Sequence, residues 1–252
     1  MIPKIIHYCW ISDDPFPQLV ERCIESWKMQ MPEYELKLWN KDKCMALNID
    51  FINDAIELKK YAFAADVVRV MALYLEGGIY LDTDVFLKKS LEPILNNSFV
   101  SFLEVHPNIV KKKITYKKYD GIIKVKGISI QAAVMASEKG HPYLSQLVDY
   151  YSDKRFNKKT MKYFMRIIAP DIQASKLIDF GFQYKDELQI LNEGITIYPS
   201  TLLDSNRTFN YPESYGVHYC LGSWVPPLKL TDRVIYLIKR AGYMALKFLK
   251  II

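Results

Sequence analysis

Hydrophobic positions in the first ninety residues switch between two periods. Ile5, Ile6, Tyr8 and Trp10 form a short apolar block that predicts a strand, and the acidic, proline-rich run "SDDPFP" breaks it. Leu19, Val20, Cys23, Ile24 and Trp27 then recur at helical spacing, with Pro17 near the start and Pro32 at the end. In "YELKLWN", Tyr34, Leu36 and Leu38 alternate with polar neighbours, which predicts a second strand. A strand–helix–strand unit of this kind seeds a parallel α/β sheet with a right-handed crossover. Ala55, Leu58, Ala62, Ala65, Val68 and Leu75 predict one long helix. Asp54 is its expected N-cap, Glu57 the capping-box partner, and Gly77 and Gly78 its stop.

The stretch "GGIYLDTDVFL" follows at once. Ile79, Leu81, Val85 and Leu87 predict a buried strand, yet Asp82 and Asp84 interrupt it. Residues two apart in a strand share a face, so both carboxylates and Tyr80 are expected to point the same way. Two buried carboxylates side by side are costly. They fall where open α/β sheets bind ligands, at the carboxyl end of a strand.

The second half is less regular. Residues 104–127 read as loops and short strands. Residues 129–153 read as helical on both sides of a Gly140–Pro142 break, and residues 189–206 as a final strand and loop. From Arg233 the chain predicts an amphipathic helix. Arg233, Lys239, Arg240, Lys247 and Lys250 lie on one side of it, and Val234, Leu237, Ile238, Phe248 and Leu249 on the other.

The chain has 252 residues, half hydrophobic and a quarter charged, which fits a soluble globular domain. A formal charge of +6 suits a phosphate-bearing partner or an anionic membrane surface. No nucleic-acid-binding signature accompanies it. The four cysteines show no metal-ligand spacing, which points to a reducing compartment. The N-terminus lacks the features of a signal peptide, and no apolar run is long enough to span a bilayer.

A hard divalent cation, Mg²⁺ or Mn²⁺, would relieve the repulsion between Asp82 and Asp84 and leave coordination positions for a nucleotide diphosphate. Two solvated aspartates in a turn are the plainer alternative. A phosphatase with an aspartate nucleophile also places two aspartates two apart. There Thr or Val usually stands where this chain has Phe86, and the strand comes first in the chain. An EF-hand needs Gly and Glu where this chain has Leu87 and Pro93.

Five ordered stretches, "IPKIIHYCWI", "CIESWKMQMPEYELKLWN", "KKYAFAADVVRV", "GGIYLDTDV" and "HYCLGSW", together resemble glycosyltransferase family 32 and, more distantly, the glucosylating domain of the large clostridial toxins. The resemblance implies an α/β GT-A fold with one Rossmann-like mixed sheet flanked by helices. It also implies a nucleotide-sugar donor, a divalent metal and retention of anomeric configuration. By the same resemblance Trp10 would stack on the nucleotide base, and Asn40 would line that pocket. Asp66 and Arg69 would face the ribose and the donor sugar or diphosphate, and Tyr80 would touch the donor. Asp82 would bind hydroxyls and share the metal, Asp84 would coordinate it directly, and His218 would be the third ligand. Ser223 and Trp224 would close over the diphosphate. Asp82, Asp84 and Arg69 form the expected catalytic set. Structural alternatives stand beside these roles: a core aromatic for Trp10, a turn residue for Asn40, an ion pair for Asp66 and Arg69, and a core histidine for His218. The family often carries "TGP" where this chain has Ala169–Asp171, so no role falls there.

The expected domains are a transferase domain over 1–230 and a basic helix over 231–252. The expected reaction moves a hexose from UDP-galactose or UDP-glucose to a lipid-linked or surface-polysaccharide acceptor, in the manner of bacterial capsule and lipopolysaccharide enzymes. The enzyme is expected in the cytoplasm, peripheral at the inner face of the membrane. GDP-mannose is the alternative donor. A phosphatase and a non-catalytic nucleotide-sugar-binding module are the other classes.

Overall fold

A computed structural model describes residues 1–106, 115–205 and 211–222. Strand β1 (Ile5–Cys9), helix α1 (Gln18–Gln30) and strand β2 (Glu35–Trp39) form the expected unit, with β1 and β2 parallel from Ile5↔Glu35 to Cys9↔Trp39. Helix α1 buries Val20, Cys23, Ile24 and Trp27, the positions its period marks. It closes with the Met31 N–H on the Trp27 carbonyl, just before Pro32.

A short α2 (Lys41–Met45) follows β2. The single long helix expected next is two helices, α3 (Asp50–Glu57) and α4 (Tyr61–Glu76). Lys59 breaks the path with φ 54°, a left-handed conformation that ends a helix. Of the predicted stripe, Ala55 and Val68 are buried in the shared core and Leu58 packs against it, whereas Leu75 is exposed; α4 turns Phe63, Ala64, Val67, Val70 and Leu73 inward instead. Asp54 lies inside α3 rather than capping it, and its carboxylate accepts both Nε and Nη2 of Arg155 at 2.7 Å.

Helix α4 ends at Gly77, whose N–H bonds the Leu73 carbonyl, and β3 (Gly78–Leu81) starts next. Both glycines are required there. Gly77 has φ +72° and Gly78 has φ +101°; a Cβ on Gly78 would meet the Ile5 carbonyl at 2.7 Å. Gly78→Ala should therefore cost about 1–3 kcal/mol from the backbone alone. Urea denaturation measures it, and a variant as stable as the parent would contradict this reading.

The acidic stretch is not one strand. β3 is buried throughout and leaves no solvated face for a carboxylate. Its ladder closes with the Asp82 N–H on the Ala133 carbonyl at 2.9 Å. The chain then turns through Asp82–Asp84, with the Val85 N–H on the Asp82 carbonyl at 3.0 Å. Strand β4 (Val85–Leu87) belongs to a different sheet. Helix α1 anchors it: Trp27 Nε1 donates to the Val85 carbonyl at 2.7 Å, and Ser26 Oγ accepts the Leu87 N–H at 3.0 Å.

Next come β5 (Phe99–Val105), β6 (Tyr116–Tyr119), β7 (Ile122–Val125) and β8 (Ile128–Ser137). The segment before Gly140, expected to be helical, is β8. Its residues are buried on both faces, so they show no alternation, and "IQAAVMAS" imitates a buried helix. Beyond the break the helix is as expected, α5 (Pro142–Ser152), followed by α6 (Met161–Arg166) and α7 (Ala169–Leu177). The stretch expected as one final strand holds two, β9 (Gln189–Leu191) and β10 (Ile195–Tyr198), paired antiparallel. β11 (Asp204–Ser205) and β12 (Gly216–His218) complete the described elements.

The main sheet has the order β2-β1-β3-β8-β5-β10-β9. β1, β2 and β3 run parallel, as do β5 and β10, whereas β8 is antiparallel to both of its neighbours. One face packs on helices α3 to α7, the other on α1 and β4. The mixed α/β sheet flanked by helices is the architecture the sequence predicts. Two small sheets accompany it, β11-β12-β4 and the β6–β7 hairpin. No helix among the described residues is long and apolar enough to cross a membrane. Ser223, Trp224 and the basic segment 231–252 lie outside the described residues.

Candidate active site

The site forms where β1 and β3 end. Asp82 follows β3, and on α4 Asp66 and Arg69 stand one turn apart. Arg69 Nη2 lies 3.1 Å from Asp66 Oδ1 and 3.2 Å from Asp82 Oδ1. The guanidinium also donates Nη1 to the Ala132 carbonyl at 2.7 Å and Nε to the Ala65 carbonyl at 3.2 Å. It lies 5.1 Å from the Tyr80 ring centroid. Arg69 is only 5% exposed, so its donors are committed to protein acceptors. This is no solvated surface ion pair.

Asp84 is reached from the far end of the chain. β12 pairs antiparallel with β4, placing His218 opposite Val85. His218 Nε2 then lies 3.3 Å from Asp84 Oδ1. The Leu221 N–H donates to Asp84 Oδ2 at 2.8 Å, and the Tyr219 N–H to the Asp84 carbonyl at 3.0 Å. Cys220, held at φ 50°, sets its Sγ 3.4 Å from His218 Nδ1. The two aspartates thus converge through a turn and two sheets, not through the parity of one strand. Each has its own cationic neighbour, which offsets the repulsion that the sequence poses.

Electrostatics follow from burial and these partners. Burial pushes the Asp66 carboxyl up to about 7, against the pull of Arg69. Burial works against the Arg69 charge, but Asp82, Tyr80 and Asp66 outweigh it and hold the guanidinium ionised. The Tyr80 hydroxyl is pushed well up by burial and then by Asp82. Burial would raise Asp84, yet His218 and the Leu221 N–H prevail and hold it below the usual carboxylate range. Burial would lower His218, but Asp84 and Cys220 prevail and raise it well above an ordinary imidazole.

Donor atoms of Asp82, Asp84 and His218 lie within 4.8 Å of one another, and all three side chains are half-buried. Opposite ligands of an octahedral Mg²⁺ are about 4 Å apart. Two carboxylates and an imidazole are a donor set that Mn²⁺ or Mg²⁺ accepts, the nitrogen favouring Mn²⁺. The residues therefore fit the cation that the resemblance implies.

Trp10 and Asn40 follow β1 and β2, at the same end of the sheet. Trp10 is half-buried; its Nε1 donates to the Asp14 carbonyl at 2.8 Å, and its ring meets Phe16 edge-on at 5.1 Å. Asn40 is exposed and caps α2, its Oδ1 accepting the Lys43 N–H at 3.0 Å. The structure thus joins Asp66, Arg69, Tyr80, Asp82, Asp84 and His218 in one cluster and gives Trp10 and Asn40 local bonds of their own. Residue-type reasoning misses the Ala132 carbonyl and the Leu221 N–H, since a backbone group carries no signature in sequence. Cys220 stands inside the quoted "HYCLGSW", yet nothing in that string says that its sulfur faces the imidazole.

Residues 17–100 match the glycosyltransferase sugar-binding region containing the DXD motif. The chain is 24% identical to inositol phosphoceramide mannosyltransferase 1 of Schizosaccharomyces pombe over 230 residues, covering 88% of this chain and 62% of that protein. It is 31% identical to inositol phosphoceramide mannosyltransferase 3 of the same yeast over 154 residues, 58% of this chain and 36% of that one. It is 26% identical to glycosyltransferase L373 of Acanthamoeba polyphaga mimivirus over 248 residues, 91% and 86% of the two chains. The chain thus spans about three-fifths of the first yeast relative's length and about a third of the second's. Among solved structures, the PaToxG glycosyltransferase aligns at TM-score 0.45 with 17% identity, over 71% of this chain and 69% of that one. The galactosyltransferase LgtC aligns at 0.40 with 14% identity, over 86% and 87%.

A DXD sugar-binding region, with its two carboxylates drawn together at the carboxyl end of a mixed sheet, defines a glycosyltransferase domain. Within that class the five stretches of the sequence resemble family 32.

Proposed function

We propose that the chain transfers a hexose from a nucleotide sugar to a phospholipid or other lipid-linked acceptor at a membrane surface, with retention of configuration. The convergence of Asp82, Asp84 and His218 carries this reading. These three residues would hold a divalent cation, which when bound neutralises charge on a leaving diphosphate. Arg69 fixes Asp66 and Asp82 and is a positioning group, since its own donors face protein acceptors. Asp66, half-protonated near neutral pH, can both donate to and accept from a sugar or ribose hydroxyl. Trp10 offers its ring, and Asn40 its exposed amide, to the nucleotide side of the same crevice. Ser223 and Trp224 would cover the diphosphate, and the basic segment 231–252 would lie on an anionic bilayer at the inner face of the membrane.

The acceptor class rests on the yeast relatives, whose names specify inositol phosphoceramide. Those names also specify mannose, so GDP-mannose joins UDP-galactose and UDP-glucose among the first donors to assay. Incubation with a panel of sugar nucleotides and Mn²⁺, scored for nucleotide release, is the test. One donor should turn over at least tenfold faster than the rest. Release of inorganic phosphate instead would favour a phosphatase, and binding without turnover would favour a non-catalytic module.

A further inference from the structure

The β6–β7 hairpin connects β5 to β8, and topology fixes where it projects. The Asp82 N–H bonds Ala133 of β8, and β8 is antiparallel to β3. The start of β8 therefore lies further along the direction in which β3 points. There Ile128 pairs with Val105, the last residue of β5, and the His106 N–H bonds the Gly127 carbonyl at 2.8 Å. The hairpin leaves the sheet at the end that carries Asp82 and Asp84.

Helix α6 packs beside it. Tyr163 Oη donates to the Tyr119 carbonyl at 3.5 Å, Arg166 sits 5.8 Å from the Tyr119 ring centroid, and Lys124 Nζ donates to the Arg166 carbonyl at 2.7 Å. Phe164 is buried and anchors α6 edge-on to Phe51 at 4.8 Å. This leaves Lys162, Met165 and Arg166 exposed on one face of the helix, at spacings of three and four. On the hairpin Tyr116, Lys117 and Lys118 are exposed, Tyr116 and Lys118 on one face of β6 and Lys117 on the other, so that the hairpin presents its β6 edge. Tyr116 is 66% exposed and Met165 42%. No carboxylate among the described residues lies within 4.0 Å of the four basic groups.

Exposed lysines and an arginine with no carboxylate partner among the described residues, beside an exposed tyrosine and methionine, match the chemistry of an anionic phospholipid surface. Phosphates meet the cations, and the two apolar side chains reach the interfacial layer. A soluble anion would engage the charges and leave Tyr116 and Met165 without a partner.

We propose that the β6–β7 hairpin and the exposed face of α6 form a docking surface for an anionic bilayer, seating the sheet end that holds Asp82 and Asp84 over lipid headgroups. This rests on the proposed lipid acceptor and adds the surface that presents it. The full chain should cosediment with vesicles of phosphatidylcholine and phosphatidylserine at 7:3 and remain in the supernatant with phosphatidylcholine alone. Partitioning should fall about fivefold for each lysine removed, or about thirtyfold for Lys117→Ala with Lys118→Ala. The paired arginine substitutions should restore it, and Lys162→Ala should weaken it separately. All variants should keep the parent's melting temperature and its nucleotide release in solution. Unchanged partitioning of the double alanine variant, or equal binding to zwitterionic vesicles, overturns the proposal. Absence of nucleotide release with every donor overturns the transferase reading instead, and the two readouts are independent.

Discussion

Asp84→Asn is expected to lower metal-dependent nucleotide release by at least 10²–10³-fold, about what loss of one preorganised charge-stabilising group costs. The variant stays isosteric, so the turn after β3 and its Leu221 and Tyr219 N–H contacts keep acceptors at that position. What disappears is the charge. A neutral amide is a poor ligand for a hard cation, and it no longer holds His218 charged across 3.3 Å. Manganese binding followed by electron paramagnetic resonance should weaken in parallel with activity. An Asn variant with near-parental turnover would remove Asp84 from the mechanism. Lost turnover with intact manganese binding would assign it another role.

Arg69→Met should be the most destabilising single change in the site. The methionine fills much of the arginine's volume, so packing loss is small. It strips one cation from two carboxylates and leaves the Ala132 carbonyl without its donor. Breaking a buried ion pair by removing one partner costs about 3–5 kcal/mol. For a domain of this size that lowers the melting temperature by roughly 10 °C. Arg69→Lys keeps the charge but cannot reach Asp66, Asp82 and Ala132 together, and should recover less than half of the loss. Thermal unfolding decides the matter, and a methionine variant melting with the parent would show that the cluster does not depend on Arg69.

Elements with a local signal were legible. β1, α1 and β2 follow from period and proline placement, and the glycine stop after α4 follows from its dipeptide. The Lys59 break was not, because a lysine at positive φ leaves no mark in the apolar stripe. β8 was misread because a strand covered on both faces loses its alternation. For the site, spacing pointed to Asp82 and Asp84, the family resemblance pointed to Asp66, Arg69 and His218, and the structure draws these five side chains together. The geometry joining them depends on β12 pairing with β4 and on the Ala132 carbonyl, which are long-range backbone facts. The expectation that the two aspartates share one strand face does not hold, since both side chains leave the turn between β3 and β4.

The β4–β12 pairing has a consequence for biosynthesis. It joins residues more than a hundred positions apart, and His218 has no place beside Asp84 until that ladder forms. While the chain is still emerging from the ribosome, the paired aspartates have been made but their histidine has not. The Asp82–Asp84–His218 cluster therefore assembles only after nearly the whole main sheet has been made, and a chain released before β12 lacks the histidine that faces Asp84.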